Sequence, residues 1–335
     1  MLHPPLAIAG MHRSGTSLTA AFLQALGVDL GEEFWQADRH NAKGYFEDID
    51  FLQFQRSLLA DCCPQDDGGW VDWGWTENEQ LDRQKFSNYT EAAKELLRKR
   101  QKHRWWGWKD PRTTLLLDFW QELLPETNYI LVYRYPWDVV DSIFRLNAPI
   151  FLENPDYPLK IWQYYNRHLW DFYRRHPHRC ILCNVNRLWE EPEKLVQLLR
   201  EKFQFSSPPH WQAKPEAASI FDAQMFRQLP RNHPLVGLLE RLYPESLQLL
   251  ANLDSVADLP SGFSGNLSNS ENSEAAELVL QMYRDSLQSM QQQQKYLWEL
   301  QQLRSQLATI QASKFWPVYQ GWHNFKKQVW GWFFR

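Results

Sequence analysis

The stretch with the clearest chemical potential is GMHRSGTS, residues 10–17, near the start of the chain. It has the frame of a phosphate-binding loop, G-x-x-x-x-G, followed by two hydroxyl residues, Thr16 and Ser17. The apolar run at residues 5–10 predicts a strand that enters the loop, and residues 14–26 predict a helix that leaves it. A loop in this setting presents backbone N–H groups to an anion at a helix N-terminus. The sequence therefore predicts an anion-binding site, and an ordinary strand-to-helix turn is the structural alternative.

The loop differs from those of nucleoside-triphosphate enzymes at one position. Such enzymes place a lysine where this chain has Thr16, and that lysine bridges the β- and γ-phosphates of ATP beside Mg²⁺. Here the cation inside the loop is Arg13. The difference favours another anion. An ATP-dependent kinase with a P-loop is the rival enzyme, and Mg²⁺ dependence would support it.

Further charged residues stand where other strands are predicted to end. Arg134 closes the clearest predicted strand of the chain, residues 128–134, and Ser142 follows eight residues later in the next helix. Lys109 closes another predicted strand at residues 105–109. Strands that alternate with helices predict an α/β fold, in which a mostly parallel sheet is flanked by helices. Ligands of such sheets bind at the carboxyl ends of the strands, so these side chains and the loop should share one edge.

Four segments together resemble the PAPS-dependent sulfotransferases of the bacterial type, where PAPS is the sulfuryl donor 3′-phosphoadenosine 5′-phosphosulfate. The resemblance covers roughly residues 6–205, and four segments in the right order specify a family better than one motif does. It implies a P-loop-like fold with a PAPS-binding motif, and sulfuryl transfer without a metal. The segments are GMHRSGTS at 10–17, NAKGYFED at 41–48, GWKDPRTT at 107–114 and YRYPWDVVDS at 133–142.

The resemblance also implies which loop residues hold the donor. Arg13 would grip the 5′-phosphosulfate, and backbone N–H groups and hydroxyls of the loop would assist it. Arg13 is also a catalytic candidate, because it would hold the group that is transferred. The donor-binding loop residues are Arg13, Ser14, Gly15, Thr16 and Ser17.

Two strand ends supply the other donor contacts that the resemblance implies. Arg134 and Ser142 would bind the 3′-phosphate, one by charge and one by a hydrogen bond, which distinguishes PAPS from ATP. Lys109 would reach the bridging oxygen, where charge develops as the sulfuryl group leaves. Both cations have structural alternatives, since a charge at the end of a buried strand needs a partner. Those partners would be Asp138 for Arg134, and Asp110 or Asp118 for Lys109.

Sulfuryl transfer needs a base that takes the proton of the acceptor hydroxyl. The resemblance points to Glu47, which lies in GYFED at the start of the second predicted helix, residues 46–60. Glu33 is the rival, because it lies about as far beyond the loop arginine as the base of tyrosylprotein sulfotransferases does. Asp48 and His40 stay open as further alternatives. The structural interpretation of Glu47 is that it supports a helix N-terminus.

Departures from related sulfotransferases leave the acceptor open. Cytosolic small-molecule sulfotransferases have lysine in place of Arg13 and carry an R-K-G stretch that this sequence lacks. Where relatives have Y-E-D-L, this chain has NVNRL at residues 184–188. The K-D-P segment resembles the tyrosylprotein and carbohydrate-type branches. We expect transfer to a hydroxyl of a carbohydrate, either a polysaccharide or a glycolipid. A non-catalytic binding protein with the PAPS fold is the alternative that is not an enzyme.

The amino-acid composition narrows the possible functions and the cellular location of the protein. The formal net charge of −4 disfavours nucleic-acid binding, which requires a basic surface. Cys180 and Cys183 form C-x-x-C, but the apolar run around them predicts a buried strand rather than a redox or metal site. The sequence shows no signal segment and no apolar run of spanning length, which predicts a cytoplasmic protein.

The second half of the chain changes character. Residues 213–259 predict helices without strand signals, and a glutamine-rich helix with apolar residues at coiled-coil spacing follows a linker. That helix would join copies of the chain into a homo-oligomer. The tail is cationic and rich in tryptophan, which suits peripheral contact with the inner face of a membrane or packing on protein. The predicted division is 1–205 sulfotransferase domain, 206–259 helical extension, 260–275 linker, 276–312 coiled-coil helix and 313–335 amphipathic tail.

Overall fold

The computed structural model describes residues 3–35, 46–63, 74, 80–100, 105–206, 227–263, 273–313, 316–317 and 322. Some sequence-based predictions lie outside these residues, namely those for His40, the first five residues of NAKGYFED, residues 207–226 of the helical extension, most of the linker and most of the tail. The anion-binding loop and the strand ends at Lys109 and Arg134 all lie within them.

A four-stranded parallel sheet forms the centre of the fold. Every residue of its strands is buried, as expected for a sheet that helices flank. The register places Ile8 of the first strand between Lys109 and Ile130. The predicted fold class is therefore confirmed. The strands are β1 (Leu6–Ala9), β2 (Gly107–Lys109), β3 (Asn128–Tyr133) and β4 (Cys180–Asn184), in the spatial order β2-β1-β3-β4.

Helices connect the strands and continue beyond the last one. Several begin with proline at the first helical position, where the missing N–H costs no hydrogen bond. The helices up to β4 are α1 (Thr16–Ala25), α2 (Ile49–Cys62), α3 (Thr90–Arg100), α4 (Leu117–Leu123), α5 (Pro136–Phe144), α6 (Pro149–Glu153) and α7 (Tyr157–Arg175). Those after β4 are α8 (Val185–Glu190), α9 (Pro192–Phe203), α10 (Pro234–Leu242), α11 (Pro244–Val256) and α12 (Ser273–Ala312). Short 3-10 helices span Arg83–Tyr89, Pro111–Leu116 and Pro177–Arg179.

An apolar cluster holds α1 against the sheet. Phe22 and Leu23 of α1 belong to the same buried cluster as Ile8 of β1 and Leu195 and Leu199 of α9. Burial of a side chain of this size contributes about 1.5–3 kcal/mol. Truncating Leu23 to alanine would cost about 2–5 kcal/mol, because a cavity would remain. The cluster thus fixes the position of α1 and of the loop at its start.

Two predicted helices begin later than the sequence pattern indicates. The prediction that α2 begins at residue 46 is wrong, because Asp48 is the N-cap and its Oδ1 accepts from the N–H groups of Asp50 and Phe51. Residues 112–124 do not form one α-helix either. Asp110 caps a 3-10 helix, Pro111–Leu116, before α4 begins. A capping carboxylate marks the start of α2 and the start of the 3-10 helix that precedes α4, and apolar periodicity does not detect a cap.

The extension after β4 also returns to the sheet. Leu259 forms an isolated parallel bridge with Cys183, and the N–H of Asn184 donates to the Leu259 carbonyl oxygen at 2.8 Å. The prediction of helix up to residue 259 is therefore wrong at its end. A single paired residue leaves no periodic pattern that a sequence could reveal. Asp258 fixes this end, because its Oδ2 accepts from the N–H of Leu182 at 2.9 Å.

Cys180 and Cys183 lie in β4 as free thiols, and both are fully buried. Burial raises the pKa of each thiol well above its ordinary value. A thiol that stays protonated is a poor nucleophile and metal ligand. The prediction of a buried strand at this C-x-x-C pair is confirmed.

The chain divides into two compact units, Met1–Gln281 and Met282–Arg335, and the boundary falls within α12. In the second unit, apolar side chains such as Leu297, Leu303 and Ile310 are more than half exposed. Of the helices that the structure describes, none combines the length and the hydropathy that a membrane crossing requires.

Candidate active site

The loop between β1 and α1 depends on two glycines. Gly10 lies against β3, and a Cβ there would be 2.3 Å from the carbonyl oxygen of Val132. Gly15 has a φ of 93°, and a Cβ there would lie 2.2 Å from Cγ2 of Val185. A side chain at Gly10 would push the loop away from β3, and one at Gly15 would push it away from the start of α8. The glycines thus bring the loop backbone onto the carboxyl edge of the sheet.

The N-terminus of α1 has no side-chain cap. Its N-cap is Gly15, which makes no side-chain hydrogen bond, so the N–H groups of the first turn keep their capacity to bind an anion. Ser14 is fully buried nearby, and its Oγ has no hydrogen-bond partner among the described residues. Arg13 has a φ of 66°, a left-handed conformation that costs about 1–2 kcal/mol for a residue with a side chain. An uncapped helix, a buried hydroxyl and local strain therefore coincide at the predicted anion site.

Arg134 follows β3 and is 2% exposed. Its Nη1 donates to the carbonyl oxygen of Arg13 at 3.1 Å, and its Nη2 donates to that of Arg227. Its Nε lies 3.7 Å from Oδ2 of Asp138, so the structural pair that the sequence offered as an alternative also forms. Burial lowers the pKa of Arg134 to about 10, and Asp138 acts in the opposite direction. Arg134 is a buried cation that links the strand end to the loop.

Arg13 and Ser142 are in direct contact. Nε of Arg13 donates to Oγ of Ser142 at 3.0 Å, and Ser142 lies buried in α5. The resemblance assigns these residues to opposite ends of the donor, whereas the structure brings their side chains together. With Arg134, they form one cluster between the loop and α5.

Lys109 ends β2 and is 2% exposed. Its Nζ donates to Oε1 of Glu47 at 2.5 Å and to Oγ of Ser17 at 3.2 Å. The carboxylates that the sequence offered as structural partners have other ion pairs. Asp110 pairs with Arg112, and Asp118 pairs with Arg175. Lys109 therefore joins the loop to the predicted base.

The packing of α2 on β2 places Glu47 beside Lys109. Phe51 of α2 stacks on Trp108 of β2, with ring centroids 4.8 Å apart. Gln55, one turn further along, accepts hydrogen bonds through Oε1 from Thr113 Oγ1 at 2.9 Å and from Trp120 Nε1 at 3.2 Å. These contacts fix the start of α2 at the carboxyl end of β2, so Glu47 reaches a lysine that lies far from it in sequence.

Glu47 is 6% exposed, and burial raises the pKa of its carboxyl, while Lys109 acts in the opposite direction. A carboxylate whose pKa is raised is a stronger base than one in water. Glu33 lies nearby along the backbone, since its carbonyl oxygen accepts from the N–H of Ile49, but its side chain is exposed. Asp48 caps α2 and pairs with Arg100. Among the described candidates, Glu47 is the one that the geometry joins to Lys109.

Other side chains near this pair were not singled out by the sequence. Nη1 of Arg112 donates to Oδ1 of Asp110 at 3.1 Å. Tyr165 of α7 is buried, and its ring lies edge-on to His12 at 6.4 Å. Burial, together with the charges of Arg112, Arg13 and Lys109, lowers the pKa of His12 to about 3, so its imidazole is neutral.

Thr114 ties the two motif segments together. Its Oγ1 accepts from the N–H of Gly10 at 2.8 Å, which anchors the start of the loop to the K-D-P segment. Thr114 and Arg112 belong to the segment GWKDPRTT, which is one of the four that resemble sulfotransferases, so the sequence carried a signal for both residues. Tyr165 carried no signal, because nothing in its own helix marks it as different from a core residue.

Within the described residues, no group of three or more His, Cys, Asp or Glu side chains is arranged to hold a metal ion.

Comparison with known proteins decides the family. The family model described as "Sulfotransferase family" matches residues 4–204 of this chain. The chain belongs to the sulfotransferase family. That match spans the loop, Glu47, Lys109, Arg134 and Ser142, so the residues discussed above all lie within it.

Two solved sulfotransferase domains resemble this sulfotransferase at low identity. The first is the sulfotransferase domain from the Synechococcus PCC 7002 olefin synthase, with 19% identity, a TM-score of 0.39, and coverage of 84% of this chain and 94% of that one. The second is the sulfotransferase domain from the curacin biosynthetic pathway, with 16% identity, a TM-score of 0.42, and coverage of 77% and 99%. No curated protein matches the chain.

Proposed function

We propose that this sulfotransferase moves a sulfuryl group from PAPS to a hydroxyl of a carbohydrate. The observation that carries the proposal is the position of Lys109. Its Nζ bridges Oγ of Ser17 in the anion-binding loop, at 3.2 Å, and Oε1 of Glu47, at 2.5 Å. One buried cation thus stands between a site for the donor and a base for the acceptor.

The donor would be held at the ends of β1 and β3. The uncapped N-terminus of α1 and the Ser14 hydroxyl suit the 5′-phosphosulfate. Arg134 and Ser142 suit the 3′-phosphate, because a buried guanidinium group and a buried hydroxyl can pair with a dianion, and Arg13 of the loop donates to Ser142. A 3′-phosphate is absent from ATP, so this cluster would favour PAPS.

The transfer step uses the pair of Lys109 and Glu47. The acceptor oxygen forms a bond to sulfur while the bond from sulfur to the bridging oxygen of the donor breaks. Glu47 takes the proton of the acceptor hydroxyl, and the electron pair of the broken bond stays on the bridging oxygen. Lys109 stabilises the negative charge that grows there, and because Lys109 is buried this interaction is stronger than in solution.

The experiment is calorimetric titration with PAP, the spent donor adenosine 3′,5′-bisphosphate, in parallel with ATP and Mg²⁺. Turnover of labelled PAPS with a carbohydrate acceptor follows. We expect PAP to bind more tightly than ATP and label to appear on the acceptor. Preference for ATP with Mg²⁺ would favour the kinase alternative. Tight PAP binding without turnover on any hydroxyl acceptor would favour a non-catalytic binding protein.

A further inference from the structure

The second half of α12 carries an apolar stripe that its own chain leaves about half exposed. Its members follow one another at intervals of four, three, four and three residues, which is the spacing of the a and d positions of a coiled coil. Their exposure ranges from 49% at Leu307 to 60% at Leu303. Single apolar residues are common on protein surfaces, whereas a contiguous row of them indicates an interaction surface. We call this row the α12 seam; it consists of Tyr296, Leu300, Leu303, Leu307 and Ile310.

The α12 seam occupies one face of a short part of the helix. Alternating steps of four and three residues stay close to the repeat of a helical turn, so the five side chains form a single row. The preceding d and a positions hold Ser289 and Gln293, so the apolar row does not continue toward the start of α12. Trp298 stands at position f, on the opposite face of the helix. Because the seam is short, any assembly that it forms should dissociate on dilution.

Two residues that flank the α12 seam carry opposite charges. Glu299 directly precedes Leu300 and takes position g, and Arg304 directly follows Leu303 and takes position e. In a parallel coiled coil whose helices are in register, the g residue of one helix faces the e residue of the following heptad on the other. Glu299 would therefore face Arg304 of a second copy, and by symmetry the ion pair would form twice.

An antiparallel pair of α12 helices would gain no such contact. In that arrangement g residues face g residues and e residues face e residues across the seam. The other g and e positions of the seam hold Gln306 and Leu297, so neither charge would meet an opposite one. Within its own helix Glu299 lies 3.9 Å from Lys295, but a pair between exposed side chains contributes little and leaves the carboxylate able to pair elsewhere.

We propose that the α12 seam binds a second copy of this chain, in parallel and in register, as a two-stranded coiled coil. The homo-oligomer that the sequence predicts thereby gains a defined face, direction and register. Two strands are favoured over a larger bundle, in which Glu299 and Arg304 would be buried more deeply. The inference does not depend on the proposed function, because the seam lies in the second compact unit, whereas the donor and acceptor residues lie in the first. In a parallel pair, the segments that follow Ile310 begin side by side.

Sedimentation equilibrium of the intact chain, over about a hundredfold range of concentration, tests the association. We expect an equilibrium between monomer and dimer. Leu303→Glu should raise the dissociation constant at least about 100-fold, because two carboxylates would be buried in the seam. Trp298→Glu is the matched control and should leave the constant unchanged, since Trp298 is 62% exposed on the opposite face. A monomer at every concentration, or an assembly of three or more copies, would overturn the proposal.

Disulfide trapping tests the direction of the helices without removing the charges. Tyr296→Cys and Ile310→Cys lie at opposite ends of the seam, and each should cross-link to its own counterpart, because a disulfide requires Cα atoms about 4.4–6.8 Å apart. The four native cysteines are buried and should add little background. Ser305→Cys, at position f, is the control and should stay reduced. Cross-links that form only when the two seam variants are mixed would show an antiparallel pair and overturn the proposal.

Reversal of the flanking charges tests the register. Glu299→Lys should raise the dissociation constant about 3- to 30-fold at low ionic strength, because the dimer loses two attractive pairs and gains two repulsive ones. The double variant Glu299→Lys with Arg304→Glu should return the constant close to its original value, since opposite charges face each other again. A double variant that associates no better than Glu299→Lys alone would contradict the proposed register.

Discussion

The two sides of the site differ in how their polar groups are held. On the donor side, which comprises Arg13, Arg134 and Ser142, the side chains bond to each other or to backbone carbonyl groups. On the proposed acceptor side, around Glu47, Oε2 of Glu47 and Oδ2 of the neighbouring Asp110 are buried without a hydrogen-bond partner in the described part of the chain. Each of the three donor-side residues thus has at least one partner in the protein, although Oγ of Ser14 in the loop has none among the described residues; on the proposed acceptor side, two carboxylate oxygens have none there.

This difference separates two kinds of recognition. A donor with several negative charges can displace bonds among cations and hydroxyls, because each charge-assisted contact is about twice as strong as a neutral one. A neutral acceptor lacks that advantage, so its subsite benefits from polar atoms that no protein group satisfies. Lys109 lies at the boundary, because it touches Ser17 on one side and Glu47 on the other.

The largest effect should come from substitution of Lys109, which lies at that boundary. Lys109→Met should lower kcat at least about 10³-fold, since it removes the charge that stabilises the leaving oxygen. It also leaves Glu47 buried without its cation, which should cost about 3–5 kcal/mol of unfolding free energy. Steady-state kinetics and urea unfolding measure the two losses.

The double variant Lys109→Met with Glu47→Gln serves as the control for folding. It should recover much of the stability, because no unpaired charge remains, and should recover none of the activity. Full activity in a well-folded Lys109→Met protein would contradict the role given to this lysine. It would also show that Lys109 does not act between the donor and the acceptor.

Glu47→Gln should give the next largest loss of activity, and it should leave donor binding nearly unchanged. The amide cannot take a proton, so kcat should fall about 10²-fold or more. PAP affinity should stay within about twofold, because Glu47 lies beyond the donor cluster; calorimetry measures it. Glu33→Gln is the matched control and should leave kcat unchanged, since the Glu33 side chain is exposed. A loss of kcat in the Glu33 variant alone would make Glu33 the base.

Arg134→Ala should act on the donor side alone. PAP affinity should fall about 10- to 100-fold, as expected for loss of a charge-assisted contact with a phosphate. ATP binding should change much less, since ATP has no 3′-phosphate. Calorimetric titration of both nucleotides checks this, with Arg175→Ala as control, because Arg175 pairs with Asp118 at 2.7 Å and has no contact with the cluster among those described. Equal losses of PAP and ATP affinity would indicate that Arg134 supports the loop and does not bind the 3′-phosphate.

The smallest effect concerns the pH dependence of stability, which should have opposite signs on the two sides. Burial and nearby cations lower the pKa of His12 to about 3, against about 6.5 in an unfolded chain. The unfolded state therefore takes up a proton first as pH falls, and the contribution of His12 is full above about pH 6.5 and is lost toward pH 3. Burial raises the pKa of Glu47, so its contribution is present at low pH and is lost as pH rises through the folded pKa.

Urea unfolding at pH 7 and pH 5 measures the first of these contributions. His12→Gln should reduce the difference in unfolding free energy between the two pH values, because the variant has no group to protonate there. An unchanged difference in that variant would show that His12 is as easily protonated in the folded protein as in the unfolded one.

The sequence indicated more residues of the proposed donor side than of the proposed acceptor side. Four features of the donor side were readable from neighbouring residues: the two loop glycines, the arginine at a strand end, and the serine on the following helix turn. The contact between Arg13 and Ser142 was not, because it joins residues 129 positions apart. On the proposed acceptor side, Glu47 was named only through resemblance.

The sequence by itself determined the strands, the loop and the charged residues at the strand ends, because apolar runs and glycines act through local backbone geometry. It also determined that α12 carries an apolar stripe. The tertiary structure alone decided which of the carboxylates meets Lys109, since that depends on the stacking of Phe51 on Trp108. Such pairings arise from packing between distant segments, and no local pattern encodes them.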